Sequence, residues 1–460
     1  MFHVMVSFAF FLLGAAAMHA NQSIAFESNS DSVRLHSRKD LASPTLISNP
    51  STMCINDPYL MPRAWRAAPS LDFLDNKPWS TSERTECDEA TNHGLDELIG
   101  FFQHATERQI ERLGVDAVNS LFDYVVTSEQ ETPEFYRKAL HEAIRVIKIT
   151  TRSYMEEYED SCDSNEAFTL MKYVGYADDL HKASLPQGGD KQLKHIRDKL
   201  VKKLQNIIDE CDSNLGFLIG DIHWREKLND YSLDSGEVYE WNLGAIALNQ
   251  CMTIPDLSMP VDTKEFVAKV WRYFYDYDIP GFLDYELRGD NRSATDSWVD
   301  MAYLATHVAY IPTGYGRHYQ YLTESPHLYH FCRESFYAAM EEGGHDLAAE
   351  FVDMLKIYGC TEENDIQVRH GVRYIMSLYK EAGNSFVNHR EEGASAPSDY
   401  DTIHKPWTGI AALWKYDRSM SFEPENPGSY GDMFRSAVKS LGYDSVSILE
   451  DDVEYERPVY

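Results

Sequence analysis

The chain has 460 residues, with 42 Lys and Arg against 74 Asp and Glu, a net charge of −32. That surplus repels nucleic-acid phosphates and anionic membrane surfaces, which excludes both as partners. Hydrophobic residues make up 43% of the sequence, enough to fill the core of one large helical domain, and closed helical arrays reach this length as single units.

Residues 1–20, MFHVMVSFAFFLLGAAAMHA, hold no Asp, Glu, Lys or Arg and end in small residues, with Ala15 and Ala17 or Ala20 placed for cleavage. This pattern predicts a secretory signal peptide. Its apolar core, Val4 to Ala17, is too short to span a bilayer, and no later stretch approaches the roughly 18 uncharged apolar residues of a spanning helix. The expected location is extracellular, the alternative being an organelle reached through the secretory pathway. Residues 21–90 are rich in Ser, Asn, Pro and Asp without sustained periodicity, and read as a flexible lead.

Seven cysteines in an exported chain permit disulfides. Cys162 and Cys211 sit in matching contexts, Ser161-Cys162-Asp163-Ser164-Asn165 and Glu210-Cys211-Asp212-Ser213-Asn214. They mark the start and end of one helical hairpin, which predicts a bridge between them. Cys54 with Cys87 is a second expected pair. Cys251, Cys332 and Cys360, in apolar or helical surroundings, read as buried thiols.

From 91 to 445 the apolar residues recur at spacings of three and four, the mark of amphipathic helices. One stripe is Tyr136, Leu140, Ile144, Ile147 and Tyr154; a second is Leu193, Ile196, Leu200, Leu204 and Ile207, preceded by the turn Pro186-Gln187-Gly188-Gly189. Two more run through Leu347, Phe351, Leu355 and Tyr358, and through Val368, Val372, Ile375 and Tyr379, with Gly343-Gly344, Gly359 and Gly383 at helix ends. Residues 446–460 form an acidic tail. No series of alternating strands with hairpin turns appears, so the expected class is all-α. Long helices joined by short glycine-marked turns stack as antiparallel pairs, in an open solenoid or a closed α/α-toroid. The lack of a repeat of fixed length disfavours a regular solenoid, and polar and aromatic residues at helix starts in the second half suit inner helices aimed into one central cavity.

The stretch Gly371 to Leu378, then Gly383-Asn384-Ser385-Phe386, then Tyr400-Asp401-Thr402-Ile403-His404-Lys405-Pro406-Trp407-Thr408-Gly409-Ile410-Ala411-Ala412-Leu413, resembles one repeat of the α/α-toroid superfamily. That superfamily includes the terpene-cyclase-like toroids and the β subunits of protein prenyltransferases. Asp346 to Gly359 is similar to the outer helix of the preceding repeat. The resemblance implies a toroid fold, and a zinc-ligand role for His404, which matches the histidine at the start of an inner helix. The Asp-x-Asp-Asp motif of protonating cyclases is absent, so the resemblance implies a fold more than a reaction.

The densest polar region is Asp296 to Tyr310, followed by Pro312 to His318. Asp296, Asp300, Tyr303 and His307 are spaced four, three and four apart and share one helix face. A carboxylate, a phenol and an imidazole on one face suit acid–base work, and His307, His404 and His318 supply ligands for zinc or another divalent metal. Tyr315 and Arg317 follow a Pro/Gly-broken turn, where loops carry function. Glu237, Glu240, Asp284 and Glu286 supply acids for a metal-free alternative. Asn291-Arg292-Ser293 is a glycosylation sequon in an exported chain.

Three functions therefore stand at this point. The first is a secreted enzyme with a central site of Asp296, Asp300, Tyr303, Tyr315 and Arg317 around a metal held by His307, His404 and His318, acting on a small or extended organic substrate. The second is a carbohydrate-active lyase or hydrolase on the same barrel, with a glycan substrate. The third is a secreted binding protein without catalysis.

Overall fold

The computed structural model describes residues 54–56, 76–127, 133–157, 164–230, 233, 235–275, 293–310, 326–342, 344–388 and 398–414. Among these every regular element is helical, and no strand occurs. No helix of the described residues is long and apolar enough to cross a membrane. The signal segment, most of the lead and the acidic tail lie outside the described residues.

The helices are α1 (Thr81–His104), α2 (Glu107–Leu113), α3 (Val115–Thr127), α4 (Pro133–Glu157), α5 (Ser164–Ser184) and α6 (Lys191–Glu210). Two short ones follow, α7 (Leu215–Leu218) and α8 (Trp224–Asn229), then α9 (Ser235–Cys251) and α10 (Thr263–Tyr275). The C-terminal half holds α11 (Ser293–Tyr310), α12 (Pro326–Glu342), α13 (Gly344–Ile357), α14 (Ile366–Glu381) and α15 (Asp399–Leu413).

Local chemistry explains these boundaries. The hydroxyl of Ser80 accepts from the Glu83 amide while Glu83 reaches back to the Ser80 amide, a reciprocal cap for donors that the first turn leaves unpaired. This cap starts α1 at Thr81, inside the segment expected to be a flexible lead. The expected stripes fall on single helices: Tyr136, Leu140 and Ile147 are buried on α4, and Leu193, Leu200, Leu204 and Ile207 on α6. The turn before α6 is a short 3-10 turn closed by Gly188 and Gly189 at φ +95° and +70°, values that cost glycine little.

Six helices succeed one another through direct packing: α3 lies against α5, α5 against α9, α9 against α11, α11 against α13, α13 against α15, and α15 against α3. The other long helices back them, α4 on α3, α6 on α5, α10 on α9, α12 on α11 and α13, α14 on α13, and α1 on α15. Helix α13 is therefore not the outer helix expected from Asp346 to Gly359. It is buried from Leu347 through Ile357 and has helices on several sides. The α1–α15 contact is close because both helices present glycine to Phe386: a Cβ at Gly94 would lie 2.8 Å from that ring and one at Gly409 2.5 Å.

The cysteines correct two expectations. Cys54 bridges Cys360, with Cα atoms 5.3 Å apart, whereas Cys87 is a free, buried thiol on the inward face of α1. Cys360 is thus not a thiol, while Cys251 and Cys332 are free and buried. The reason is a strap-like contact: the Ile55 amide donates to Asp365 at 2.9 Å and the Ile366 amide donates to the Ile55 carbonyl at 2.9 Å. This brings Cys54 to the start of α14, beside Cys360. Cys211 is disulfide-bonded; Cys162, the partner expected for it, lies outside the described residues.

Candidate functional site

Side-chain contacts between α11, α13 and α15 run in the same direction along each helix, so these three helices are parallel and their N-terminal ends share one side. Tyr303 and Thr306 on α11 meet Asp346 and Glu350 on α13, and Asp346 and Lys356 on α13 meet His404 and Ala412 on α15. Near those ends Asp346, Glu350 and His404 come together.

His404 Nδ1 lies 2.8 Å from Oδ1 of Asp346. The phenol of Tyr303 is 3.1 Å from the other Asp346 oxygen. One turn further along α13, Glu350 accepts from the Thr306 hydroxyl at 2.5 Å. One ligand atom from each of Asp346, Glu350 and His404 falls within 4.8 Å of the others. The His404 ring is held on two sides, stacked on Tyr400 at 4.8 Å and 22° and met edge-on by Trp407 at 5.4 Å and 80°. Trp407 is itself anchored, its indole N–H donating to Asp123 on α3 at 2.9 Å. While α13 is otherwise buried beyond its first residue, the Asp346 side chain keeps 23% of its surface exposed.

The electrostatics of the group are strongly coupled. Burial opposes ionisation of Asp346, but the neighbouring His404 imidazole outweighs it and holds the carboxyl low. Burial likewise opposes the His404 cation, and Asp346 overrides it and raises the imidazole. For Glu350, burial and then the Asp346 charge both act against ionisation and raise the carboxyl. Two acids thus compete for one imidazole, which favours ionisation of Asp346 over that of Glu350.

His307 sits one turn from this group. Its Nδ1 is 2.7 Å from the Tyr303 carbonyl and 4.0 Å from Glu350. Burial, chiefly, pushes its pKa down to about 4, so the ring is neutral near pH 7. The charge on His404 adds to this depression.

Of the residues singled out from sequence, Tyr303, His307 and His404 are brought together. Asp296 and Asp300 belong to α11, but their side chains lie outside the described residues, as do Tyr315, Arg317 and His318, Asp284 and Glu286, and the sequon Asn291-Arg292-Ser293. Glu237 is committed to an ion pair with Lys227. Asp346 and Glu350 were missed. The available signal was a pair of acids four apart, following His345, in a helix whose other positions are largely apolar. A second group of close ligand atoms, Cys54, Cys360 and Asp365, is spoken for by the disulfide and by an Arg333 ion pair.

No protein-family model, no curated protein and no solved structure matches this chain.

Proposed function

We propose that the protein is an exported α/α-toroid enzyme whose active site binds a divalent metal at Asp346, Glu350 and His404, with Tyr303 and His307 beside it. The toroid reading is supported by the cyclic order of helix contacts, in which α15 returns to α3. Export is supported by the N-terminal segment alone. The observation that carries the metal reading is the convergence of one imidazole and two carboxylates from two helices within 4.8 Å.

That donor set suits zinc or a similar first-row divalent ion. The surroundings match what such ligands need, since the Thr306 hydroxyl orients Glu350, the Tyr303 phenol orients Asp346, and Tyr400 and Trp407 hold the His404 ring. A bound ion there would polarise a substrate oxygen or lower the pKa of a bound water. The chain's own groups then position the substrate, with the Tyr303 phenol beside Asp346 and the His307 imidazole beside Glu350 to move protons.

The test is metal analysis of the purified full chain after equilibration with zinc, manganese or magnesium. One ion per chain is expected, lost in His404→Ala and Asp346→Asn while helicity by circular dichroism is retained. Wild-type protein that binds none of the three ions would end the metal reading.

A further inference from the structure

Helix α6 carries a basic stripe on the outside of a strongly acidic chain. Lys191, His195, Lys199 and Lys202 are spaced four, four and three apart, which sets them on one helix face, and all four are exposed. The opposite face, Leu193, Leu200, Leu204 and Ile207, is buried where α6 packs on α5, so the stripe points outward. Among the described residues none of these four side chains makes an ion pair or hydrogen bond. Asp198, the one acid between Lys191 and Lys202, is taken up by Lys194 at 2.6 Å and Arg197 at 3.2 Å. Like charges three or four apart on a helix repel, so Lys199 and Lys202 work against α6 rather than for it.

The helical rise places the four side chains about 6, 6 and 4.5 Å apart along the axis, about 17 Å in all. An extended chain points every second side chain the same way, at intervals of about 6.7 Å. Four acids at alternate positions therefore span about 20 Å and face the four basic groups one to one, leaving about 3 Å for the lysine stems to take up. One segment of this chain has that pattern: Glu450, Asp452, Glu454 and Glu456, alternating with Asp451, Val453 and Tyr455. It lies outside the described residues. The chain sets out toward it from Trp414, whose ring is 4.5 Å from that of Phe135 at the start of α4. About 20 Å further along α4, Lys148 pairs at 2.8 Å with Asp190, the neighbour of Lys191. The intervening residues 415–449 can span at most about 115 Å, so the stripe is well within reach.

We propose that the acidic segment 450–456 docks in extended form along the Lys191–Lys202 stripe of α6, one carboxylate to each basic side chain, and closes that stripe to other anions. Exposed ion pairs are individually weak. Attachment to the same chain supplies the local concentration that lets four of them act together, which a free acidic partner lacks. The contact lies on α6, behind the central helices, and does not depend on the metal reading.

The experiment has two arms on the full chain. The first is carbodiimide cross-linking at low salt, mapped by mass spectrometry on an equal mixture of unlabelled and heavy-nitrogen-labelled protein. Links join Lys191, Lys199 or Lys202 to acids of 450–456 in the same chain, exceed those from the exposed Lys264, and are lost at about 0.5 M salt. The second arm titrates a fluorescent peptide of residues 449–457. It binds a variant with Glu450→Gln, Asp452→Asn, Glu454→Gln and Glu456→Gln about tenfold or more tighter than wild type, whose stripe is already covered. Adding Lys199→Glu and Lys202→Glu to that variant abolishes the binding, and a peptide of the same composition with its acids made contiguous binds more weakly. Circular dichroism checks that each variant folds. Links no more frequent at the stripe than at Lys264, links only between chains, equal peptide binding by wild type and the neutralised variant, or equal binding of the rearranged peptide would overturn the proposal.

Discussion

His404 and Asp346 meet at 2.8 Å across two parallel helices, and the phenol of Tyr303 holds the far oxygen of the same carboxylate at 3.1 Å. This phenol orients the carboxylate without occupying a ligand position. Tyr303→Phe is therefore expected to weaken zinc binding about tenfold, measured by competition with a chromophoric chelator, while leaving the melting temperature close to wild type. An unchanged zinc affinity would show that Asp346 is oriented by other means.

Arg333 and Asp365 form a two-pronged ion pair in the core, at 2.6 and 3.0 Å, with side chains 1% and 0% exposed. Asp365 also caps α14 through the Gln367 and Val368 amides. Removing one partner strands a buried charge, so Arg333→Met should cost about 3–5 kcal/mol in urea unfolding. The exposed Lys138–Asp96 pair provides the contrast: Lys138→Ala should change stability by about 1 kcal/mol at most.

Phe386 is wedged between Gly94 and Gly409, and this wedge sets the α1–α15 approach. Gly409→Ala would force its methyl into the ring, and overpacking of this kind costs about 1–3 kcal/mol. Combining it with Phe386→Leu should recover part of the loss. A Gly409→Ala protein as stable as wild type in thermal melts would mean that α15 can shift at little cost.

Burial would by itself raise the carboxyl of Asp190, the cap of α6, but the Lys148 ammonium and the Leu193 amide hold it below its ordinary value. A carboxyl depressed in the folded state contributes stability that is present above its unfolded pKa, near 3.9, and is lost as pH falls through the lower folded value. Melting temperature should thus fall more steeply below about pH 4 in wild type than in Asp190→Asn. Parallel curves for the two proteins would exclude this contribution.

Cys87 is buried on α1, and burial pushes its thiol up to about 12. It should therefore resist a disulfide reagent at pH 8 in the folded protein and react once guanidinium is added. Rapid native-state labelling of Cys87, located by peptide mapping, would show that α1 opens readily.

What the sequence alone determined is the helical class and much of the helix pattern. Residue spacings of three and four, glycine at turns and hydroxyl caps act within one or two turns of chain, so Leu193 to Ile207 on α6 or Val368 to Tyr379 on α14 could be read directly. Tyr303 and His307 were legible for the same reason, being four apart on α11. Asp346 and Glu350 were not, because a pair of acids four apart looks the same on a solvated outer helix as on a buried central one. Only the tertiary structure decided that α13 lies between α11 and α15, which turned those acids toward His404. It likewise decided that Cys54 meets Cys360 and not Cys87. Such pairings depend on the order in which helices pack, and that order is set by many weak side-chain contacts between segments far apart in the chain, for which local periodicity carries no signal.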